Sequence, residues 1–243
     1  MSVLITGANG SIGTDLVNIL SNNHKVYGIY RTNNKKIKKI KNVAWIKFDL
    51  KKVFKHNIKP NPKYLIHCAV DQRPPKENIA NYTYTNTLIF NNLITYAKKN
   101  KVELIINLSS TEAYGDIKTN YLKEDYLSQN LNAYGKTKLI SEQILHGQKI
   151  SFVNIRLPGV LCNPINKKFS RPWLCSVLNK IQRNHNISGH NLKNKFNNVI
   201  STQEIAKFIN FLIKKNIKIR ETFNFAGTKP ISLKNIFNIA KKN

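Results

Sequence analysis

The sequence predicts an α/β fold: a Rossmann-like, doubly wound parallel sheet with a small C-terminal lobe. Three observations support this prediction. Short apolar runs alternate with helical stretches up to about residue 157. The runs are almost continuously apolar, as is typical of parallel strands buried on both faces. A glycine-rich turn connects the first run to the first helical stretch, and alternating strands and helices build sheets that are covered on both sides.

Each element is predicted from its own pattern. Apolar runs predict strands at residues 3–6, 25–30, 43–48, 64–69, 102–108 and 151–157. Helical spacing of apolar side chains predicts helices at residues 11–21, 79–99, 132–146, 173–183 and 202–214. A strand at residues 222–225 and a helix at residues 233–241 close the chain.

The character of the sequence changes after about residue 157. Residues 158–200 contain Pro158, Pro164 and Pro172, several Asn residues and one convincing helical stretch. We therefore predict two parts. Residues 1–160 form a dinucleotide-binding domain, and residues 161–243 form a small substrate-binding lobe that is interleaved with the last strand and helix of the sheet.

The formal net charge of +28 raises the question of a nucleic-acid partner. The Lys residues are spread along the chain in short runs and are not interleaved with aromatic residues as on a nucleic-acid-binding surface. We therefore expect no dedicated nucleic-acid partner. The positive field instead favours anionic cofactors and substrates in a cleft.

Cysteine content and hydropathy bear on location. Three cysteines are scattered without metal-ligand spacing, so neither a disulfide framework nor a metal site is predicted. No stretch approaches the roughly 20 apolar residues of a membrane helix, and the N-terminal run is too short for a signal peptide. We expect a cytoplasmic protein.

A phosphate-binding loop is predicted where the first strand meets the first helix. Gly7 would permit the tight turn, Gly10 the approach of a pyrophosphate, and Gly13 close packing of helix on strand. Free N–H groups at the start of the helix would bind the anion. The residues assigned to this loop are Gly7, Asn9, Gly10, Ser11, Ile12 and Gly13.

The ends of the second and third strands are predicted to meet the adenosine half of the cofactor. An acid after the second strand would favour NAD, and a base would favour NADP. This chain has Arg31 and no acid there, which favours NADP over NAD. Asp49 and Leu50 end the third strand and are expected at the adenine edge.

Tyr134 and Lys138 form the predicted acid–base pair. They are one turn apart on a predicted helix and share a face. A nearby ammonium would lower the pKa of the phenol and let it exchange a substrate hydroxyl proton while hydride moves. Ser110, at the end of a Ser-rich strand, would orient the reacting oxygen, although such residues also cap turns.

With these motifs placed, the sequence resembles the extended short-chain dehydrogenase/reductases, the NAD-dependent epimerase/dehydratase family. The resemblance covers nearly the whole chain and is most specific up to about residue 160. The matching segments, in order, are residues 6–13, residues 67–70, Asn86, residues 109–115, residues 134–138, residues 156–160, residues 198–213 and residues 223–227.

The resemblance implies roles for particular residues. Ser110, Tyr134 and Lys138 would be the catalytic residues, and Ala69, Asn86 and Pro158 would line the cofactor site. Members of the family commonly oxidise a hydroxyl of a nucleotide-linked sugar to a ketone, and the product is then epimerised, dehydrated, decarboxylated or reduced. The resemblance also implies a homodimer through helices 79–99 and 132–146.

Glu112 leaves an alternative open. By the resemblance, an acid two residues after the catalytic Ser is typical of dehydratases and decarboxylases, where it removes a proton next to the new ketone. The Asp that usually precedes that acid is replaced by Thr111, and Glu112 could equally be a surface acid among lysines.

The leading hypothesis is therefore a nucleotide-sugar reductase or epimerase. Arg31 and the short C-terminal lobe favour a reductase. Phe169, Arg171, Trp173 and His190 are candidates to contact the substrate. An alternative from another class is a non-catalytic NAD(P)-sensing or RNA-associated Rossmann protein.

Overall fold

A seven-stranded parallel sheet forms the centre of the computed structural model, which describes residues 1–32, 39–54, 61–71, 79–162, 180–181, 183–186 and 191–242. The strands of this sheet are β1 (Ser2–Thr6), β2 (Lys25–Tyr30), β3 (Val43–Lys47), β4 (Tyr64–His67), β5 (Leu104–Ser110), β6 (Ser151–Leu157) and β10 (Arg220–Asn224). Their spatial order is β3-β2-β1-β4-β5-β6-β10. The order reverses at β1 and β4, as in doubly wound folds that bind ligands at this point.

Helices cover both faces of the sheet. They are α1 (Ser11–Leu20), α2 (Ile79–Lys99), α3 (Ala133–His146), α4 (Thr202–Lys214) and α5 (Leu233–Lys242), with a 3-10 turn at Thr111–Tyr114. Helices α1 and α4 pack together, and so do α2 and α3. The predicted fold class, a Rossmann-like doubly wound parallel sheet, is confirmed.

The first strand shows why its sequence is continuously apolar. Val3 and Ile5 belong to the core cluster that also contains Leu16 of α1 and Ile209 of α4. Leu4 belongs to the second cluster, with Phe90 of α2. Because successive side chains of a strand point to opposite faces, a strand covered on both sides must be apolar at every position.

Two further two-stranded sheets follow β6 in the chain. They pair β7 (Gly159–Leu161) with β9 (Val199–Ser201), and β8 (Lys195–Phe196) with β11 (Ile231–Ser232). These four short strands were not predicted from the sequence. The predicted helix at residues 173–183 lies largely outside the described residues.

Strand β5 is longer at its C-terminal end than the sequence predicts. It runs to Ser110 rather than ending at residue 108, and Ser109 and Ser110 pair in register with Arg156 and Leu157 of β6. The serines therefore belong to the sheet and are held by its hydrogen bonds. Within the described ranges, no helix is long and apolar enough to cross a membrane.

Candidate active site

The loop after β1 has no room for a side chain at two of its glycines. Gly7 has φ +63°, and a Cβ there would lie 2.8 Å from the Ala69 Cα. A Cβ at Gly13 would lie 2.2 Å from the Gly7 carbonyl oxygen, and the Gly10 N–H donates to that same oxygen at 2.9 Å. The loop thus folds back on itself against the end of β4, and Gly7 and Gly13 leave no room for a Cβ.

The start of α1 fits the phosphates of a dinucleotide. The helix begins at Ser11 after Gly10, which makes no side-chain cap, and its first turn contains no acid. The Thr14 hydroxyl donates to the Gly10 carbonyl at 2.6 Å and steadies the turn. A helix start without a side-chain acceptor presents its N–H groups and positive dipole end to an anion.

The end of β2 lies beside this loop. The Asn9 side-chain amide donates to the Thr32 carbonyl at 2.7 Å and ties the loop to the residues after β2. Arg31 is exposed there, in a position to meet the ribose end of a dinucleotide. The preference for NADP that it suggests stays a prediction.

The residues after β3 have mostly local partners. The Asp49 carboxylate accepts the Lys51 N–H at 3.1 Å. Leu50 is buried in the core, and its carbonyl accepts the Asn92 side-chain amide at 3.0 Å. The expected adenine contact of Asp49 and Leu50 stays a prediction.

A buried histidine joins β1 to β4 beneath the glycine loop. The Thr6 hydroxyl lies 2.8 Å from His67 Nδ1 and accepts the Ala69 N–H at 3.3 Å. Burial, followed by the charge of Lys138, lowers the pKa of His67 to about 3, so the ring is neutral. Sequence analysis noted His67 only as part of a motif and missed this role.

Asn86 lies on α2 and faces the chain that leaves β4. Its side-chain oxygen accepts the Asp71 N–H at 2.9 Å, and its amide donates to the Tyr82 carbonyl at 3.0 Å. Both ends of the Asn86 side chain therefore hold backbone near the switch in strand order. Its predicted contact with the cofactor stays a prediction.

Ser110, Tyr134 and Lys138 come together as the sequence predicts. Ser110 ends β5, its hydroxyl accepts the Glu112 N–H at 3.2 Å, and it lies close enough to Tyr134 to lower the pKa of that phenol. Lys138 Nζ lies 5.6 Å from the centre of the Tyr134 ring and donates to the Leu108 carbonyl at 2.7 Å. The three side chains thus form one cluster at the carboxyl edge of the sheet.

The ionisation of this cluster differs from the prediction. Burial raises the pKa of Tyr134 and the charge of Glu112 raises it further, whereas the Ser110 side chain lowers it. Burial also lowers the pKa of Lys138 to about 8. The expected lowering of the Tyr134 pKa is therefore wrong for the protein groups alone, because loss of solvation on burial is the largest effect on this phenol.

Glu112 has a structural partner as well as a place near the site. It is exposed, and its carboxylate accepts the Asn132 side-chain amide at 2.7 Å. Asn132 in turn caps α3 by accepting the Gly135 N–H at 2.8 Å. Glu112 therefore helps to set the start of the helix that carries Tyr134.

Pro158 stands between β6 and β7, half-buried, and the next N–H, that of Gly159, donates to the Asn198 carbonyl at 3.0 Å. Its predicted contact with the cofactor stays a prediction. The candidate substrate contacts at Phe169, Arg171, Trp173 and His190 lie outside the described residues.

One pair of residues near the site was missed by the sequence analysis. Glu142 and Arg156 form a buried ion pair next to the cluster of Ser110, Tyr134 and Lys138. A signal was present, since Glu142 lies one turn after Lys138 on the same helix face and Arg156 begins one of the matching segments.

Comparison with known proteins assigns the family. The model of the NAD dependent epimerase/dehydratase family matches residues 3–226. The chain belongs to this family. The family supports an enzyme with a nicotinamide cofactor, as the glycine loop and the Tyr134 cluster predict.

The individual relatives are distant in sequence, but this chain covers most of the length of each. Protein CapI of Staphylococcus aureus is 23% identical over 252 residues, which are 95% of this chain and 74% of the relative. Among solved structures, the Bordetella bronchiseptica enzyme WbmG in complex with NAD has a TM-score of 0.78 at 17% identity, covering 100% of this chain and 77% of WbmG. WbmG has also been solved with NAD and UDP.

A second similar structure is the UDP-glucuronic acid 4-epimerase of Bacillus cereus in complex with NAD. Its TM-score is 0.78 at 20% identity, and the match covers 100% of this chain and 82% of the epimerase. At these identities the structures establish the shared fold of the chain.

Proposed function

We propose that this protein is an NAD(P)-dependent epimerase of a nucleotide-linked sugar, which oxidises one sugar hydroxyl to a ketone and reduces it again. The observation that carries the proposal is the cluster of Tyr134, Ser110 and Lys138 at the same sheet edge as the glycine loop. The solved structures similar to this chain include 4-epimerases, and this supports the choice among reactions of the family.

In this proposal Tyr134 moves the proton of the reacting hydroxyl. Burial raises its pKa in the free protein. The oxidising step needs Tyr134 as phenolate to take the hydroxyl proton, and the phenol formed then returns that proton to the ketone oxygen on reduction. Ser110 orients that oxygen through its hydroxyl, which lies close enough to Tyr134 to affect the pKa of the phenol. Bound NAD would accept and return the hydride, and its oxidised ring would add a positive charge near the phenol.

Lys138 supplies the cation that the oxidising step needs. In that step Tyr134 accepts the sugar hydroxyl proton as phenolate, which an ammonium stabilises. With a pKa of about 8, lowered by burial, Lys138 is still mostly protonated at neutral pH. Burial of the Lys138 ammonium strengthens its attraction to the phenolate, because little water screens the charge.

A nucleotide-linked sugar suits the charge of the chain. A diphosphate is drawn to a positive field, and the formal net charge here is +28. WbmG, one of the similar structures, holds UDP beside NAD. We propose the lobe at residues 161–243 as the part that binds the sugar nucleotide.

The test is Tyr134→Phe, assayed with a panel of UDP-sugars for change of sugar configuration. The variant should lose about 10² to 10⁴ in kcat, the usual contribution of a positioned acid–base group. Its affinity for NAD should be retained. Tyr121→Phe is the control, because Tyr121 is 86% exposed. Full turnover by Tyr134→Phe would overturn the proposal.

The cofactor that co-purifies separates the epimerase from a reductase. Tightly held NAD is expected for an internal redox cycle. Exchangeable NADPH would support a net reductase instead. Tight, sequence-tolerant RNA binding at physiological salt, with no turnover, would support the non-catalytic alternative.

We also propose a homodimer through α2 and α3. Helix α2 exposes Ile79 and Tyr84, which are 57% and 67% accessible in the monomer. Exposed apolar side chains on a long helix favour packing against a second copy. Sedimentation velocity should give twice the monomer mass of 27.9 kDa, and a single monomeric species would contradict this.

A further inference from the structure

A buried ion pair lies next to the cluster of Ser110, Tyr134 and Lys138. Glu142 and Arg156 are 3% and 8% exposed, and Arg156 Nη2 donates to Glu142 Oε2 at 2.6 Å. Arg156 Nε lies 3.1 Å from both carboxylate oxygens. Within the described ranges the other two ion pairs are at least partly exposed. A buried ion pair adds little net stability to the fold, because the cost of desolvation offsets the attraction between the charges. Stability alone therefore does not account for this pair.

Glu142 holds the strand that ends in the catalytic serine. The Ser109 hydroxyl donates to Glu142 Oε1 in a short hydrogen bond. Ser109 directly precedes Ser110 in β5, and in β6 its register partner is Arg156. The carboxylate therefore bonds to two neighbouring strands at once and limits the movement of the strand end.

Three residues one turn apart on α3 each face a different residue at the end of β5. Such spacing places them on one face of the helix. Lys138 donates to the Leu108 carbonyl and Glu142 accepts the Ser109 hydroxyl, whereas Tyr134 lies near Ser110. Glu142 is thus the last member of a row that already contains two of the proposed catalytic residues.

Glu142 also acts on Lys138, which lies one turn before it on the same helix face. Burial lowers the pKa of Lys138, whereas Cys68 and Glu142 raise it. Burial raises the pKa of Cys68 to about 12, so that thiol is neutral, and His67 on β4 is neutral as well. Of the two groups that raise the pKa of Lys138, only Glu142 is a carboxylate, and it forms the ion pair with Arg156.

The remaining groups around the row are phenols and a more distant acid. Tyr134 lies on the same helix as Lys138, and from α2 Tyr82 faces Tyr134. Glu112, in the 3-10 turn, acts on Tyr134. The pKa of both phenols is raised by burial, so neither competes with Glu142 as an anion near neutral pH.

Arg156 connects this row to the chain that covers it. Its guanidinium lies 4.3 Å from the centre of the Tyr114 ring, and Nη1 donates to the Glu124 carbonyl at 2.8 Å. The Tyr114 hydroxyl donates to Asn224 Oδ1 at 2.7 Å, and the Asn224 N–H donates to the Glu124 carboxylate at 2.7 Å. The ion pair thus links α3 and β5 to β10.

We propose that Glu142, held by Arg156, is a positioning residue of the active site. It fixes the end of β5 through Ser109 and balances the charge of the Lys138 ammonium. The catalytic meaning of this inference rests on the proposed function, whereas the effects on the strand end and on Lys138 do not.

Lys138 can be followed directly, without cofactor or substrate. In protein labelled with ¹³C at lysine Cε, the Lys138 signal should titrate near 8, apart from exposed lysines above 10. The signal is assigned by its absence in Lys138→Arg. Glu142→Gln should move this titration down by at least about half a pKa unit, since the opposing charge is lost.

Three variants separate charge from position. Asp15→Asn is the matched control: Asp15 is buried and accepts the Thr202 hydroxyl at 2.7 Å, away from this row. It should leave the Lys138 titration unchanged. Ser109→Ala and Arg156→Lys keep the Glu142 charge and should also leave the titration near 8.

Steady-state kinetics of the variants measure how far Glu142 positions the end of β5. Ser109→Ala should lower kcat by about tenfold with little change in KM, because small misplacement of reacting groups slows chemistry more than binding. Glu142→Gln should lower kcat and also move the alkaline limb of the pH profile to lower pH. A structural role alone would not move that limb in a folded variant.

The outcomes are distinct from those of the proposed function. An unchanged Lys138 titration in folded Glu142→Gln would overturn the charge effect, and wild-type kcat in Ser109→Ala would overturn the positioning effect. If Glu142→Gln does not fold, Ser109→Ala and Arg156→Lys decide the positioning effect by kcat. If the wild-type protein turns over no nucleotide sugar, the proposed function fails while the titration still tests Glu142.

Discussion

Gly135 lies directly against the carbonyl group of Glu112. A Cβ at position 135 would be 2.1 Å from the Glu112 carbonyl oxygen, far inside contact distance. The helix that carries Tyr134 therefore touches the turn that follows Ser110 through bare backbone. The distance between the proposed acid–base residue and the residue that orients the substrate depends on this contact.

Gly135→Ala should disturb both stability and catalysis. The added methyl group must push α3 away from the 3-10 turn, and overpacking of this kind costs about 1–3 kcal/mol. Tyr134 is the adjacent residue, so kcat should fall by about 10² at least. Urea denaturation and steady-state turnover measure the two effects.

The matched control is Gly147→Ala at the other end of the same helix. A Cβ there would lie 3.5 Å from its nearest neighbour, an ordinary contact, and φ is −75°. This variant should be neutral or more stable by up to about 1 kcal/mol. Equal behaviour of the two variants would contradict the role of Gly135.

His67 should make stability depend on pH. Burial lowers its folded pKa to about 3, below an unfolded value of 6.5, so the unfolded chain binds the proton more readily. The contribution is present above pH 6.5 and is lost as pH falls toward 3. Between pH 7 and pH 5 this amounts to about 2 kcal/mol.

His67→Gln should remove most of that dependence, measured as the free energy of unfolding at pH 7 and pH 5. His24→Gln is the comparison, because burial lowers the pKa of His24 too, but to a smaller degree. A loss of stability in His67→Gln as steep as in the wild type would show that other groups cause it.

Arg31 should decide between the two nicotinamide cofactors. It is exposed after β2, where a 2′-phosphate would meet a base. Arg31→Ala should weaken NADPH binding about tenfold, corresponding to one charge-assisted hydrogen bond, and change NADH binding less than about twofold.

Fluorescence titration with both cofactors measures the Arg31 effect. Lys25→Ala at the opposite end of β2 is the control, since Lys25 is an exposed cation far from the carboxyl edge. Equal weakening of NADPH and NADH by Arg31→Ala would argue against contact with the 2′-phosphate.

Glu112→Gln should lower the pKa of Tyr134, because the Glu112 charge raises it. The Gln oxygen can still accept the Asn132 amide, so the start of α3 should be preserved. We expect turnover within about tenfold of the wild type, since no step of the proposed reaction uses the carboxylate. The pH–rate profile should shift toward lower pH.

A different result would revive the alternative chemistry at Glu112. If Glu112→Gln still oxidised the sugar but formed no final product, the carboxylate would act as the base of a dehydratase or decarboxylase. Product analysis by mass spectrometry distinguishes this from simple slowing of an epimerase.

Much of the fold could be predicted from local patterns. The strand and helix order up to residue 157 agrees with the structure, because burial on both faces leaves a continuous apolar run and one-sided burial leaves a helical period. The four short strands β7, β8, β9 and β11 were missed. Strands of two or three residues are too short for any period to show.

The sequence by itself determined that a glycine loop precedes a helix and that Tyr134 and Lys138 share a helix face, because spacing along the chain sets both. Only the tertiary structure decided the ionisation of these groups. Burial raises the pKa of Tyr134 and lowers that of Lys138, and burial depends on packing by distant segments.

The same holds for Glu142 and Arg156. They are separated in the chain, lie on a helix and a strand, and meet only because α3 packs across β5 and β6. Helix and strand periods specify which face of each element is buried. They do not specify which buried charges meet, since that depends on the register between elements that are brought together only by folding.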